Sequence, residues 1–143
     1  MKPIELLLAE DSLTDAELIQ SAFEENRFAL NLRHVLDGVE ALDYLHQRPP
    51  YQESARPDLM LLDLNLPRKD GREVLAEIKA DAELRCMPVI ILTTSAADAD
   101  LATAYHHHAN AFLTKPVDFE AFMNVIRQVG EFWLSAARLP HRC

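Results

Sequence analysis

A chain of 143 residues, 49% hydrophobic and 26% charged, has the make-up of one ordered globular domain; a domain this size buries roughly 70% of its unfolded surface and needs no disulfide or metal staple. Fourteen basic residues stand against 23 acidic ones, for a net charge of −9, which argues against a nucleic-acid-binding face because phosphate neutralisation needs a basic patch. The three glycines, Gly38, Gly71 and Gly130, are too scattered for a GxGxxG fingerprint or a Walker A loop, which excludes nucleotide binding by either device.

In chain order, short apolar runs alternate with amphipathic segments. Ile4–Ala9 reads as a first strand, too short for a signal-peptide core. Leu18, Ile19, Ala22 and Phe23 keep one helical face across Thr14–Arg27. Leu30–Leu36 is a second strand, Gly38–Gln47 a helix with Leu42 and Leu45 inward, and Arg48–Pro57, with Pro49, Pro50 and Pro57, a loop. Leu59–Leu62 and Val89–Leu92 are continuously apolar, as strands buried on both faces of a parallel sheet are. Between them Val74, Leu75 and Ile78 mark a helix over Arg72–Ala80. Asp98–His108 is helical but weakly apolar, so loose packing is expected. Ala111–Leu113 is a last short strand, and Phe119, Phe122, Ile126, Val129 and Trp133 form a long helical stripe. Five β-α repeats predict one three-layer α/β/α sandwich with a parallel sheet and right-handed crossovers. No stretch approaches the ~20 apolar residues of a membrane span. Cys86 and Cys143 fit neither a CxxC pair nor a disulfide framework, which points to a reducing cytoplasm.

Polar residues gather where the buried strands end: Glu10-Asp11 after the first, Asp63 after the third, Thr93-Thr94 after the fourth, Lys115-Pro116 after the fifth. Open parallel sheets place their ligand sites beyond these carboxyl ends. A lone acid after a strand is as readily a helix cap, but four strand ends carrying complementary chemistry form a set. Two carboxylates ~4 Å apart repel by about 4 kcal/mol at an effective dielectric of 20. A cluster of Glu10, Asp11 and Asp63 therefore calls for a cation, and all-oxygen ligands suit Mg²⁺. With the Lys115 ammonium and the Thr93 hydroxyl alongside, the set describes phosphoryl transfer, with Asp63 as the nucleophile.

These motifs, with the segment Asp63-Leu64-Asn65-Leu66-Pro67-Arg68-Lys69-Asp70-Gly71, resemble the response-regulator receiver family over residues 4 to about 134. The resemblance implies a flavodoxin-like (βα)5 fold with strand order 2-1-3-4-5. It implies that Asp63 accepts a phosphoryl group from a histidine kinase. Mg²⁺ would be bound by Glu10, Asp11, Asp63 and the Asn65 backbone carbonyl. Thr93 and Lys115 would hold the phosphoryl oxygens, and Lys115-Pro116 would be a cis peptide aiming the lysine. Phe112, three residues before Lys115, stands at the aromatic switch position without the hydroxyl of the family's frequent tyrosine. Thr94, where the family often has alanine, and Ser95 depart from the pattern, and Thr94 is expected to narrow access to the phosphoryl group. Gly71 fits the turn that opens the third helix.

Two other functions compete. An aspartyl-nucleophile phosphohydrolase usually has a second carboxylate two residues on, where this chain has Asn65, and it needs a cap domain. A docking-only pseudo-receiver is at odds with the intact acids, threonine and lysine. Consecutive histidines His106, His107 and His108 cannot all face one ion from a helix, so they read as a solvated helix end. The last helix carries more apolar residues than one core contact requires. Phe132 and Trp133 are thus candidates for a homodimer or partner surface, with residues 1–134 as the receiver domain and 135–143 as a tail extending the helix. The Glu131–Ser135 segment with Leu139-Pro140 also resembles single-domain regulators associated with phytochromes, which makes a bacterial phytochrome the expected kinase. A DNA-binding output domain is not expected in 143 residues, so the output is expected to pass through protein contacts.

Overall fold

The structure, a computed structural model, describes residues 2–94 and 97–140; Ser95 and Cys143 lie outside the described residues. Five strands, β1 (Ile4–Ala9), β2 (Leu30–Val35), β3 (Leu59–Leu62), β4 (Val89–Thr93) and β5 (Ala111–Thr114), alternate with helices α1 (Leu13–Glu25), α2 (Gly38–Leu45), α3 (Gly71–Ala80), α4 (Asp98–His106) and α5 (Phe119–Val129). The strands pair in parallel in the order 2-1-3-4-5, so the expected three-layer, flavodoxin-like fold is the observed one.

The period-two alternation of the strands builds two cores. Leu7, Ala9, Met60, Leu62, Val89 and Ile91 face one side, against Leu42 and Leu45 of α2 and Val74, Leu75 and Ile78 of α3. Leu6, Leu8, Leu59, Leu61, Ile90 and Leu92 face the other, against Ile19 and Phe23 of α1 and Phe122 and Ile126 of α5. The apolar runs of β3 and β4 are continuous because both of their faces are covered, and each fully buried aliphatic chain contributes about 1.5–3 kcal/mol. β2, at the edge, alternates half-buried and exposed positions and buries only Val35 at its end.

Local chemistry sets the helix ends. The side chains of Ser12, Asp37, Asp70 and Asp118 accept backbone N–H bonds from Asp15, Glu40, Arg72 and Ala121, capping α1, α2, α3 and α5 at about 1 kcal/mol each. α1 and α2 stop short of Arg27 and Gln47 because both of those residues turn left-handed, each at φ 55°. α4 starts from Ala97, which has no side chain to cap with, and buries only Ala104, in keeping with its weak apolar face. His106 and His108 lie exposed at its end, and His107 is half-buried.

Two sequence expectations are corrected. The tail extends the last helix only through Ala136, as a π-helical turn over Gly130–Ala136; the chain is extended at Ala137. A Cβ at Gly130 would lie 2.1 Å from the Phe28 ring, so glycine lets that ring lie against the turn. Trp133, Leu134 and Leu139 fold back onto the α1/α5 core, while Phe132 stays 56% exposed. Cys86 is disulfide-bonded rather than a free thiol; linear spacing carries no signal for a pairing that only folding brings about.

Candidate functional site

The carboxyl ends of β1, β3, β4 and β5 lie side by side, and the register brings their polar residues together. Asp63 follows β3, with its N–H donated to the Ala9 carbonyl at the end of β1. Lys115 follows β5, with its N–H donated to the Thr93 carbonyl at 2.7 Å. Gly71, at the start of α3, lies so close that a Cβ would sit 2.2 Å from the Asp63 carbonyl oxygen and 2.7 Å from the Leu64 Cα. The sequence expectation was a turn glycine. The structure assigns it a different role, since no described glycine has positive φ: its missing side chain lets α3 pack onto the segment that carries Asp63.

Both oxygens of the Asp63 carboxylate are held. Oδ1 accepts from the Thr93 hydroxyl at 2.9 Å and from the Asn65 backbone N–H at 2.9 Å; Oδ2 accepts from Lys115 Nζ at 2.9 Å. The Asn65 side-chain amide donates to the Thr93 hydroxyl oxygen at 3.3 Å. Lys115 Nζ also donates to Glu10 Oε1 at 2.5 Å and to Asp15 Oδ2 at 2.9 Å. Glu10 Oε2 accepts from the Ser12 N–H, and the His34 ring nitrogen Nε2 lies 2.6 Å from the Glu10 carbonyl oxygen.

Glu10, Asp63, Thr93 and Lys115 are the buried polar residues of the described chain, and their electrostatics follow from burial. Loss of water pushes Glu10 up to about 7, against the pull of the Lys115 ammonium. Burial acts on Asp63 in the same direction, but the Asn65 N–H, Lys115 and the Thr93 hydroxyl together hold it below the usual aspartate value. Burial would lower Lys115, and the carboxylates of Glu10, Asp63 and Asp15 raise it instead. A permanent ammonium thus neutralises a cluster that would otherwise repel itself.

Glu10, Asp11 and Asp63 offer carboxylate oxygens that all lie within 4.8 Å of one another, with Asp11 exposed at the mouth. Acidic oxygen donors at this spacing, open to water on one side, fit a hard divalent cation. The structure brings together Glu10, Asp11, Asp63, Asn65, Thr93 and Lys115. Phe112 sits apart on β5, partly buried against the α2/α3 core and in register with Ile91. The expected cis peptide is corrected: among the described residues the cis bond is Pro49–Pro50, and Lys115–Pro116 is trans. The backbone bond from Lys115 to Thr93 already aims the lysine, and trans is the lower-energy form even before proline.

Sequence reasoning missed Asp15, the third carboxylate on Lys115. Its signal was a capping-box spacing, Ser12-x-x-Asp15, which by itself reads as helix capping. It also missed His34, which a strand position gave no reason to single out, and Arg72. The Arg72 guanidinium binds Asp100 of α4 at 2.8 and 2.9 Å, Asp70 at 3.0 Å, and the Leu64 carbonyl beside Asp63 at 3.4 Å. It links the segment after Asp63 to α4.

Comparison with known proteins agrees with this geometry. The response regulator Rcp1 of Synechocystis sp. is 41% identical over 138 residues, covering 96% of this chain and 94% of that protein. The probable methanogenesis regulatory protein FilR2 of Methanothrix harundinacea is 43% identical, covering 96% of this chain and 88% of that one. The Mn²⁺-bound form of Rcp1 superposes with a TM-score of 0.94 over 96% of this chain and 99% of that one. The phosphorylated cyanobacterial phytochrome response regulator RcpA, 43% identical, superposes at 0.93 with the same coverage. The response regulator receiver domain model matches residues 6–127, which reach from the first strand to the last helix and take in every strand-end residue described above; the chain belongs to the response-regulator receiver family.

Proposed function

We propose that this protein is a single-domain response regulator that accepts a phosphoryl group on Asp63 from a histidine kinase, with Mg²⁺ bound. The observation that carries the reading is the grip on Asp63, with Lys115 on one carboxylate oxygen and Thr93 on the other, beside two further acids. In the transfer, an Asp63 carboxylate oxygen bonds to phosphorus and the phosphorus–nitrogen bond of the donor's phosphohistidine breaks, the imidazole leaving. Glu10, Asp11, Asp63 and the Asn65 carbonyl would hold the cation, which would supply positive charge to offset that of the phosphoryl group. Lys115 would pair with the phosphoryl group, and Thr93 would be drawn inward by its oxygens. That movement would vacate space for the Phe112 ring and change the face formed by α4, β5 and α5. The reading makes the protein a switch rather than a turnover enzyme, with cytoplasmic location, a protein-contact output and no nucleic acid or membrane partner. Among the described residues no helix is long and apolar enough to cross a membrane.

The likeness to RcpA supports a phytochrome as the kinase's sensory module, although FilR2 is equally identical. Exposed Phe132, with Trp133 edge-on beneath it at 5.2 Å, supports a homodimer or partner contact around the tail.

The test is incubation with Mg²⁺ and acetyl phosphate or phosphoramidate, followed by intact mass for the parent and for Asp63→Asn. A stoichiometric, base-labile adduct confined to the parent is expected. Turnover of simple phosphate esters would instead favour a phosphohydrolase, and no adduct at all a docking module.

A further inference from the structure

The Lys115 ammonium has three N–H donors, and each goes to a different carboxylate: Glu10, Asp63 and Asp15. Glu10 and Asp63 belong to the cluster that can hold a cation; Asp15 does not. Asp15 occupies the third position of α1, where an acid ordinarily turns back to the backbone N–H of the capping residue. Here that N–H, on Ser12, is already taken by Glu10 Oε2, and the Asp15 side chain reaches Lys115 instead. The ammonium is buried, so leaving it without a partner is costly.

We propose that Asp15 is a positioning residue that retains Lys115 while a divalent cation takes over Glu10. Cation binding asks Lys115 to release an oxygen of Glu10, because both compete for the same carboxylate. With Asp15 in place the ammonium stays paired during the exchange. Without it, Lys115 holds Glu10 and Asp63 more tightly, and the cation must displace a better-bound competitor. Asp15 therefore stabilises the cation-bound state more than the cation-free one, although it is not itself in the ligand cluster. This inference rests on the metal-binding part of the function proposed above.

The test is titration of the whole protein with Mg²⁺ and, separately, Mn²⁺ by calorimetry, with no phosphodonor present. Asp15→Asn, nearly isosteric, is expected to weaken binding about tenfold, the loss of one charge-assisted hydrogen bond in the bound state. In a Lys115→Met background the same substitution is expected to change affinity by less than about twofold, within the scatter of independent sites. Asp15→Glu, which restores the carboxylate, is expected to recover most of the affinity, and thermal melts confirm that each variant is folded. Parent-like affinity in Asp15→Asn overturns the proposal. So does a tenfold loss that persists without Lys115, since Asp15 would then act on the cation directly. A parent that binds neither cation overturns the metal reading itself, and this inference with it.

Discussion

Replacing Lys115 with methionine removes the single ammonium that bonds Glu10, Asp15 and Asp63. The Glu10 and Asp63 carboxylates are almost wholly buried, and their nearest ligand oxygens lie within 4.8 Å. At that distance, and at an effective dielectric of 20, two unit charges repel by about 3.5 kcal/mol. Removing one partner of a buried ion pair costs about 3–5 kcal/mol in general, so both routes give the same order. Protonation of Glu10 relieves the repulsion, and its pKa stands at about 7 with Lys115 present. Below pH 7 Glu10 is neutral in parent and variant alike, and the repulsion term disappears from the difference. Lys115→Met is therefore expected to lose about 3–4 kcal/mol at pH 8 in a chelator, and roughly half of that at pH 6, where only the pairs with Asp63 and Asp15 are lost. The assay is urea denaturation of both proteins at the two pH values, followed by intrinsic fluorescence and circular dichroism. A variant as stable as its parent at pH 8, or a difference that ignores pH, would refute the claim that Lys115 neutralises this cluster.

Gly71→Ala drives a Cβ to within 2.2 Å of the Asp63 carbonyl oxygen; it should cost about 1–3 kcal/mol in a denaturant titration and slow adduct formation at Asp63, because α3 must back away. Tyr51, which donates to Glu40 at 2.6 Å, is pushed up to about 12 by burial first and that carboxylate second. The folded state thus keeps the tyrosine proton that the unfolded chain gives up near its ordinary value of 10, so this contribution to stability is lost as pH rises from about 10 to 12. Alkaline melts of parent and Tyr51→Phe should converge across that window, and a constant gap would count against it. Thr94, exposed beside buried Thr93, is expected to shield the phosphoryl group; Thr94→Ala should shorten the adduct's lifetime by intact mass, and decay at the parent rate would remove Thr94 from the account.

Length, apolar runs and polar strand ends were enough to read the five β-α units, their parallel pairing and the residues Glu10, Asp11, Asp63, Thr93 and Lys115. Those features are local: a doubly covered strand must be apolar throughout, and a strand end must turn polar where it meets water. Contacts between segments distant in the chain were settled by the tertiary structure. It diverted Asp15 from its capping position to Lys115, 100 residues away, and gave Gly71 a packing role rather than a turn. It also kept Lys115–Pro116 trans, joined Arg72 to α4, and turned Trp133 and Leu139 inward while Phe132 stayed out. The −9 charge is a sum over the chain and says nothing of place. Only folding brings three of those acids onto one buried ammonium, because the energy of each pair depends on distances and burial that no linear spacing contains.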